Sequence, residues 1–383
     1  MSQNSFPKQE EEILAFWREK KIFDKTLAKD APKGDFVFYD GPPFATGLPH
    51  YGHIIAGTIK DVIPRYKTMR GCRVQRRWGW DCHGLPIENL IEQEKGFKEK
   101  KEIEADIAGF NKACRDSVLR YRDEWKKSVD RTGRWVDMEN DYKTMDWKYT
   151  ESIWWIFKTL FDRGLIYEGY KSMHLCPRCE TTLANFEVNQ GYKDITDISV
   201  TVRFKIKAKN DEWKNTSVLV WTTTPWTLPG NVALAINPAV VYCKVKNKKE
   251  KTKDESYFVL AKERLAVLKD EYEIMKEFNG EKLVGMEYEP FFDYYAKDSG
   301  LKNRENGWKI YGADFVTTTD GTGIVHIAPA FGEDDMSLGA EENLPFIQHV
   351  GTDGKMKKEV VDFAGLRVKP KDPATGSGQE THQ

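Results

Sequence analysis

No uninterrupted apolar stretch in this 383-residue chain approaches the roughly 18 residues a spanning helix needs, which argues against a membrane protein. The opening MSQNSFPKQEEEILAFW lacks a basic segment followed by an apolar run, so no secretory signal is expected. Cysteine is scarce: six in so long a chain make no disulfide framework, and the cytoplasm is the expected compartment. Charge of one sign is also missing. Lys and Arg number 59 against 60 Asp and Glu, a formal net charge of −1, so no global charge points to nucleic acid. A local basic surface remains compatible with a polyanion, because steering depends on distribution as well as total. No internal repeat is found. What is present is apolar surface: 40% hydrophobic residues with 12 Trp, 16 Tyr and 20 Phe exclude disorder for most of the chain. At about 150 residues per domain, the length predicts two to three domains.

Residues 8–27 read as an amphipathic helix with Ile13, Leu14, Phe16, Trp17, Ile22 and Phe23, expected to pack on the domain that follows. Phe36-Val37-Phe38-Tyr39 reads as a strand stopped by Asp40-Gly41-Pro42-Pro43. From His53 the period changes: Ile55, Ile59, Val62, Tyr66 and Met69 step by 4, 3, 4 and 3, one face of a helix that stops at Gly71, with a kink expected at Pro64. Cys72–Trp78 reads as a second strand ending at Gly79-Trp80-Asp81. Strand, turn, helix, strand is a βαβ unit and implies a parallel sheet. Ligands of such sheets sit beyond the carboxyl ends of the strands, where both Pro42–His53 and Asp81–Glu88 fall. Residues 92–134 read as a solvated helical excursion, and a further helix runs from Tyr149 to Arg163 before Gly164. Beyond about residue 171 the character changes. Val200–Ile206, Val218–Trp221 and Val240–Val245 are β-rich runs of a separate domain. Lys244–Lys253, with six lysines in ten residues, reads as a solvated hairpin tip or a polyanion contact. The tail Pro370–Gln383 is polar and expected to be disordered.

Four segments carry chemistry. In Asp40–His53, His50 and His53 flank Tyr51-Gly52 at the mouth of a helix that follows a strand. Free N–H groups and the dipole there favour phosphate. Histidines can add donors to oxygens whose charge grows in a transition state, and Gly52 lets backbone and nucleotide approach. A helix start that happens to hold two histidines is the plainer reading of an isolated HxGH. Cys176 and Cys179 have the spacing of one arm of a zinc knuckle, yet a structural zinc needs four ligands and only two are evident, with His174 nearby. Trp221–Asn231 holds Thr222, Thr223, Thr224 and Thr227, whose hydroxyls suit an ester, a ribose or a water, although a strand edge would carry the same threonines. Gly321–Asp335 begins as GxG, but His326 breaks the dinucleotide fingerprint; its strand and acidic end suggest a carboxylate poised for an amine, or simply a solvated acidic loop.

Asp40–His53 resembles the signature of class I aminoacyl-tRNA synthetases, and Gly79–Glu88 (GWDCHGLPIE) is similar to its companion in the isoleucyl branch. The likeness covers nearly the whole chain to about residue 370. It implies an α/β fold in which a Rossmann-like parallel sheet, the first half of the catalytic domain, carries an inserted β-rich editing domain. The implied boundaries are 1–35 for a helical extension, 36–170 for the first catalytic half, 171–195 for a partial zinc-knuckle connector, 196–370 for the editing domain and 371–383 for a flexible tail. By the same resemblance His50 and His53 contact the phosphates of ATP, Pro42 lines the isoleucine pocket and Asp81 holds the α-amino group. The last role agrees with the strength of charge-assisted hydrogen bonds, although Asp81 alone would read as a strand-end cap. Asp335 would anchor the amino group of misattached valine. Thr222, Thr223, Thr224 and Thr227 would surround the terminal adenosine and the attacking water, and His326 would hold the ribose end. Editing has a physical cause. A pocket rejects a substrate smaller by one methylene by only about 1–3 kcal/mol, a figure for which the isoleucine/valine choice is itself the standard illustration.

The implied activity is isoleucine–tRNA ligation with editing of Val-tRNA(Ile), with ATP–Mg2+, isoleucine and tRNA(Ile) as partners, zinc at Cys176 and Cys179 only as a half site, no membrane, and a monomer. The family's second ATP signature, KMSKS-like, is not in these residues, so the chain is expected to be truncated and adenylate formation by it alone is in question. Two other readings stay open: a fragment active only as an aminoacyl-tRNA editing hydrolase, and a non-catalytic tRNA-binding module.

Overall fold

The computed structural model describes residues 5–98, 100–190, 192–248 and 256–369. It divides into two compact units, one through Glu168 and one from Gly169. Residues 249–253 of the lysine run and the tail from Pro370 lie outside the described residues.

In the first unit the expected amino-terminal helix is two, α1 (Phe6–Glu19) and α2 (Ile22–Ala28), because Lys21 takes a left-handed φ of 51° between them. Both pack as expected. Trp17 meets Trp135 edge-on at 5.2 Å, Phe23 lies 6.4 Å from the same ring, and the Arg65 guanidinium sits 3.7 Å over it.

The next helix, α3 (Tyr51–Met69), runs through the buried Pro64, with Arg70 as its C-cap and Gly71 following at φ 92°. Strand β1 (Arg77–Trp80) buries Trp78 and Trp80, follows the buried Val74, and pairs in parallel with β2 (Asp137–Lys143). The expected strand at Phe36–Tyr39 does not form. Parallel bridges hold only the ends of this segment, Asp35 to Arg73 and Phe44 to Asp81. Nine steps on one side face eight on the other (44 − 35 against 81 − 73), so the backbone carries an extra residue and bows out. Pro42 and Pro43 have no N–H to donate to a ladder, and Val37 and Tyr39 are left exposed.

Between the strands run α4 (Leu85–Lys95), α5 (Lys100–Glu104), α6 (Ile107–Ser117) and α7 (Arg122–Arg131). This excursion is not merely solvated: Phe110, Val118 and Trp125 enter the core with Trp78, Trp80 and Ile87. Helix α8 (Trp147–Asp162) ends beside Gly164 at φ 69° and buries none of its residues.

The second unit starts with a two-residue hairpin, β3 (Leu175–Cys176) and β4 (Thr181–Thr182), followed by α9 (Asn185–Gln190). The strands are β5 (Val200–Lys205), β6 (Thr216–Thr222), β7 (Ala233–Ile236), β8 (Val241–Asn247), β9 (Tyr257–Ala261), β10 (Tyr272–Asn279), β11 (Lys309–Gly312) and β12 (Ile324–Ile327); α10 (Glu333–Glu341) follows. One sheet has the order β10-β8-β9-β6-β5, antiparallel except where β6 meets β9; the other has the order β11-β7-β12. The run Ala-Leu-Ala-Ile of β7 is buried at every position, as a central strand covered on both faces must be. Phe204, Val218, Leu234, Tyr242, Val259, Ile310 and Ile324 join the two sheets in one core. Lys244 departs from the solvated tip expected of its run. It is buried, its ammonium donates to the Glu212 carbonyl, and it lies 4.1 Å from the Tyr257 ring centre.

Candidate active sites

The first site lies where Phe44 bridges Asp81. The loop before α3 is tied down from several sides. The Ala45 carbonyl accepts the Tyr121 N–H at 3.1 Å, the Gly47 carbonyl accepts the Trp125 indole N–H at 2.8 Å, and the Pro43 carbonyl accepts the Asp81 N–H at 2.9 Å. At the start of the loop the Asp40 carboxylate pairs with Lys60 at 2.6 Å and with Arg134, and Lys60 also donates to the Gly41 carbonyl at 2.9 Å. Asp40, Lys60 and Arg134 were not singled out from the sequence. The signal was an acid beside a Gly-Pro-Pro turn with a lysine on the same helix as the two histidines.

His50 caps α3 and His53 is the third residue of that helix. Each Nδ1 accepts a backbone N–H at 3.2 Å, His50 from Gly52 and His53 from His50. This reciprocal capping box fixes both neutral tautomers, leaving the Nε2–H groups as the free donors. The rings lie 3.8 Å apart, and His53 sits edge-on to Trp125 at 4.7 Å. Burial pushes the pKa of His53 down, and His50 and Lys60 push it further, so it is neutral near pH 7. Gly52 has a local reason as well: a Cβ there would meet the His50 ring at 3.0 Å.

Asp81 stands at the carboxyl end of β1. Its nearest donors, the His83 N–H and the Thr144 hydroxyl, are both at 3.5 Å, too long to occupy a carboxylate fully. Pro42 is half-buried on the adjoining loop, one residue from the carbonyl that binds Asp81. His50, His53, Gly52, Pro42 and Asp81 therefore share one unit, on two segments joined by the Phe44–Asp81 bridge.

The second site is in the β-rich unit. Thr222 closes β6, and a 3-10 turn over Pro225–Gly230 follows. Thr222, Thr224, Thr227 and His326 form a chain of side-chain contacts at 3.3, 3.4 and 2.8 Å. Register places the last link: β12 pairs with β7 so that His326 lies opposite Leu234, just past the turn. The Thr227 hydroxyl already donates to the Thr224 carbonyl at 2.7 Å, so it accepts from His326 Nε2–H. The Nδ1 lone pair of His326 is then left buried without a partner. Burial lowers the pKa of His326 to about 4, with His349 adding to the effect. Thr223 is exposed and stands outside the contact chain.

Glu333, Asp334 and Asp335 form the first turn of α10 rather than a loop, where acids meet the positive end of the helix. Asp335 accepts the Ala328 N–H at 2.7 Å, and burial raises its pKa. Phe331, between them, stacks edge-on against Trp226 at 5.4 Å and His349 at 4.7 Å, linking this segment to the threonine turn. His349 and Trp226 were missed. A single histidine inside Phe346-Ile347-Gln348-His349-Val350 follows no motif.

Cys176 and Cys179 are half-buried, in no disulfide, on the β3–β4 hairpin, and His174 beside them is exposed. Among the described residues no group of three or more His, Cys, Asp or Glu is placed to hold a metal. Two thiols do not meet a structural zinc's need for four ligands, so the donor set here does not fit that ion. No helix among the described residues is long and apolar enough to cross a membrane.

The chain is 47% identical over 396 residues to the isoleucine–tRNA ligase of Treponema denticola, covering 96% of this chain and 36% of that one. It is also 47% identical over 366 residues to the isoleucine–tRNA ligase of Bdellovibrio bacteriovorus, covering 95% and 34%. The chain thus spans about a third of the length of these relatives. A solved ternary complex of Agrobacterium radiobacter K84 LeuRS with tRNA and LeuAMS covers 88% of this chain and 43% of that one at 20% identity, with a TM-score of 0.34. The family described as tRNA synthetases class I (I, L, M and V) matches residues 12–304, and the chain belongs to it.

Proposed function

We propose that this chain carries the amino-acid and ATP-binding half-site of an isoleucine–tRNA ligase together with a hydrolytic site that edits Val-tRNA(Ile). The observation that carries the first part is the His50–His53 capping box, which spends both Nδ1 atoms on the backbone and leaves two Nε2–H donors at a helix N-terminus. In adenylate formation the isoleucine carboxylate attacks the α-phosphorus of ATP–Mg2+ and pyrophosphate leaves. Charge gathers on the phosphate oxygens, where neutral donors fixed in advance stabilise it. Asp81, lightly hydrogen-bonded and next to the Pro42 loop, would hold the ammonium while Pro42 walls the side chain.

For editing, water attacks the ester carbonyl of Val-tRNA(Ile), and valine and tRNA(Ile) separate. Asp335 would bind the valine ammonium, whose positive charge would draw down the raised pKa of that carboxyl. His326, joined to the threonine turn through Thr227, would stand at the ribose end. Thr222, Thr223, Thr224 and Thr227 would line the water and the terminal adenosine.

A specific observation favours a second reading, in which this chain alone works only as the editing hydrolase. The β-rich unit has a closed core, whereas α3 and α8 leave apolar faces exposed. Two assays on the purified chain separate the readings: deacylation of Val-tRNA(Ile), and isoleucine-dependent ATP–pyrophosphate exchange. Both activities support the fuller reading, and deacylation without exchange supports the hydrolase. Salt-sensitive tRNA binding with neither activity leaves only a tRNA-binding module.

A further inference from the structure

The threonine turn is held from beneath by a residue that touches no open surface. His349 is 0% exposed, and its Nε2 lies 2.9 Å from the carbonyl of Trp226, the second residue of the turn. A carbonyl only accepts, so Nε2 carries the proton and Nδ1 of the neutral ring is bare. That Nδ1 is buried without a partner. It faces the last residue of the turn, since a Cβ on Gly230 would fall 2.5 Å from it. The edge of the ring also meets Phe331 at 4.7 Å, and Phe331 in turn meets the Trp226 indole. One imidazole therefore bonds the start of the turn, packs against its end and meets the residue that leads into the helix of Asp335. An unmet polar atom in such a place is costly. A phenylalanine, slightly larger, would carry no unmet nitrogen, but it would leave the Trp226 carbonyl unpaired.

We propose that His349 is a positioning residue for the editing reaction. Its hydrogen bond to Trp226 holds the Pro225–Gly230 turn so that Thr224, Thr227 and, through Thr227, His326 keep one arrangement for the ester end of a misacylated tRNA. This rests on the hydrolytic reading given above, and it adds a residue that contacts neither substrate nor water.

The test uses the full chain with His349→Phe and His349→Gln, read in two ways. Hydrogen exchange reports the turn directly. Amides of residues 226–231 should exchange at least tenfold faster in the Phe variant, with the strands of the five-stranded sheet unchanged. Deacylation of Val-tRNA(Ile) reports the consequence: kcat should fall at least tenfold in the Phe variant with KM within threefold. Glutamine, which can offer an N–H to the same carbonyl, should recover most of both. Unchanged exchange and kcat in the Phe variant would overturn the proposal. So would a Gln variant as impaired as the Phe variant, because that outcome marks a purely packing role. If His349→Phe does not fold, His349→Gln decides alone, with near-normal kcat and protection supporting the hydrogen bond and a tenfold loss refuting it. A wild-type chain that does not hydrolyse Val-tRNA(Ile), while His349→Phe still loosens the turn, overturns the editing reading and leaves the positioning contact standing.

Discussion

Leu234, Ile236, Leu283 and Ile310 in the β-rich unit are all 0% exposed, whereas along α3 in the α/β unit Ile55 is 65%, Ile59 58% and Met69 76% exposed. Helix α8 is similar to α3, with Trp154 at 71% and Trp155 at 69%. Both units are rich in apolar side chains and both build a core, but the α/β unit leaves those of α3 and α8 outside its own. The difference bears on function. The threonine–histidine chain of the β-rich unit rests on a strand buried at every position, while the His50–His53 pair opens a helix whose apolar stripe faces solvent. An exposed stripe of that kind marks a surface built for contact.

The largest test of this contrast is stability. Leu234→Ala should destabilise the β-rich unit by about 2–5 kcal/mol, while Trp154→Ala in α8 should stay within roughly 0.5 kcal/mol, both read by denaturant unfolding. Equal losses would erase the distinction. Next comes pH. His326 titrates at about 4 in the folded chain, against about 6.5 unfolded. Its contribution is therefore fully present above pH 6.5 and is lost as pH falls toward 4, where the unfolded chain takes up a proton that the folded one refuses. The loss is on the order of 3 kcal/mol, and His349 shifts in the same direction. The Tm of the β-rich unit should drop from pH 7 to 4.5, and His326→Gln should flatten part of that drop. A pH dependence unchanged in the variant would contradict the buried neutral ring.

Two carboxylates sharpen the comparison further. Asp335→Asn should slow Val-tRNA(Ile) deacylation roughly 10- to 100-fold, the worth of one hydrogen bond to a charged group, and leave isoleucine binding alone. Asp81→Asn should do the reverse, weakening isoleucine binding by a similar factor in calorimetry. The smallest effect belongs to the surface. Trp154→Glu with Phe157→Glu should lower the binding of an apolar fluorescent dye to the chain while leaving deacylation within about twofold. Dye binding that persists would place the exposed apolar surface elsewhere.

Helical spacing of apolar residues located α3 and α8, and runs rich in β-branched and aromatic residues located the strands at 200–205, 216–222 and 241–247. Such signals erred where tertiary context decides. Phe36–Tyr39 has strand composition but lies between mismatched bridges and two prolines without donors. Lys244 belongs to a charged run, yet its stem and ammonium are taken up by Trp213, Tyr257 and a backbone carbonyl. The acids at 333–335 looked like a loop because the helix they begin has Gly332 as its N-cap, without a capping side chain. His50, His53 and Asp335 could be singled out because they stand in segments that resemble the motifs of a known family. His349, which stands in no such pattern, and Asp40 could not, because their partners, the Trp226 carbonyl and Arg134, lie far away in the sequence.

The proposed hydrolytic site draws all its residues from the β-rich unit. Single-turnover hydrolysis of Val-tRNA(Ile) tests it most directly. Deacylation is expected well above the rate in buffer, selective for Val-tRNA(Ile) over Ile-tRNA(Ile), and largely lost in Asp335→Asn. Hydrolysis no faster than in buffer, or equally fast with that carboxylate removed, would contradict it.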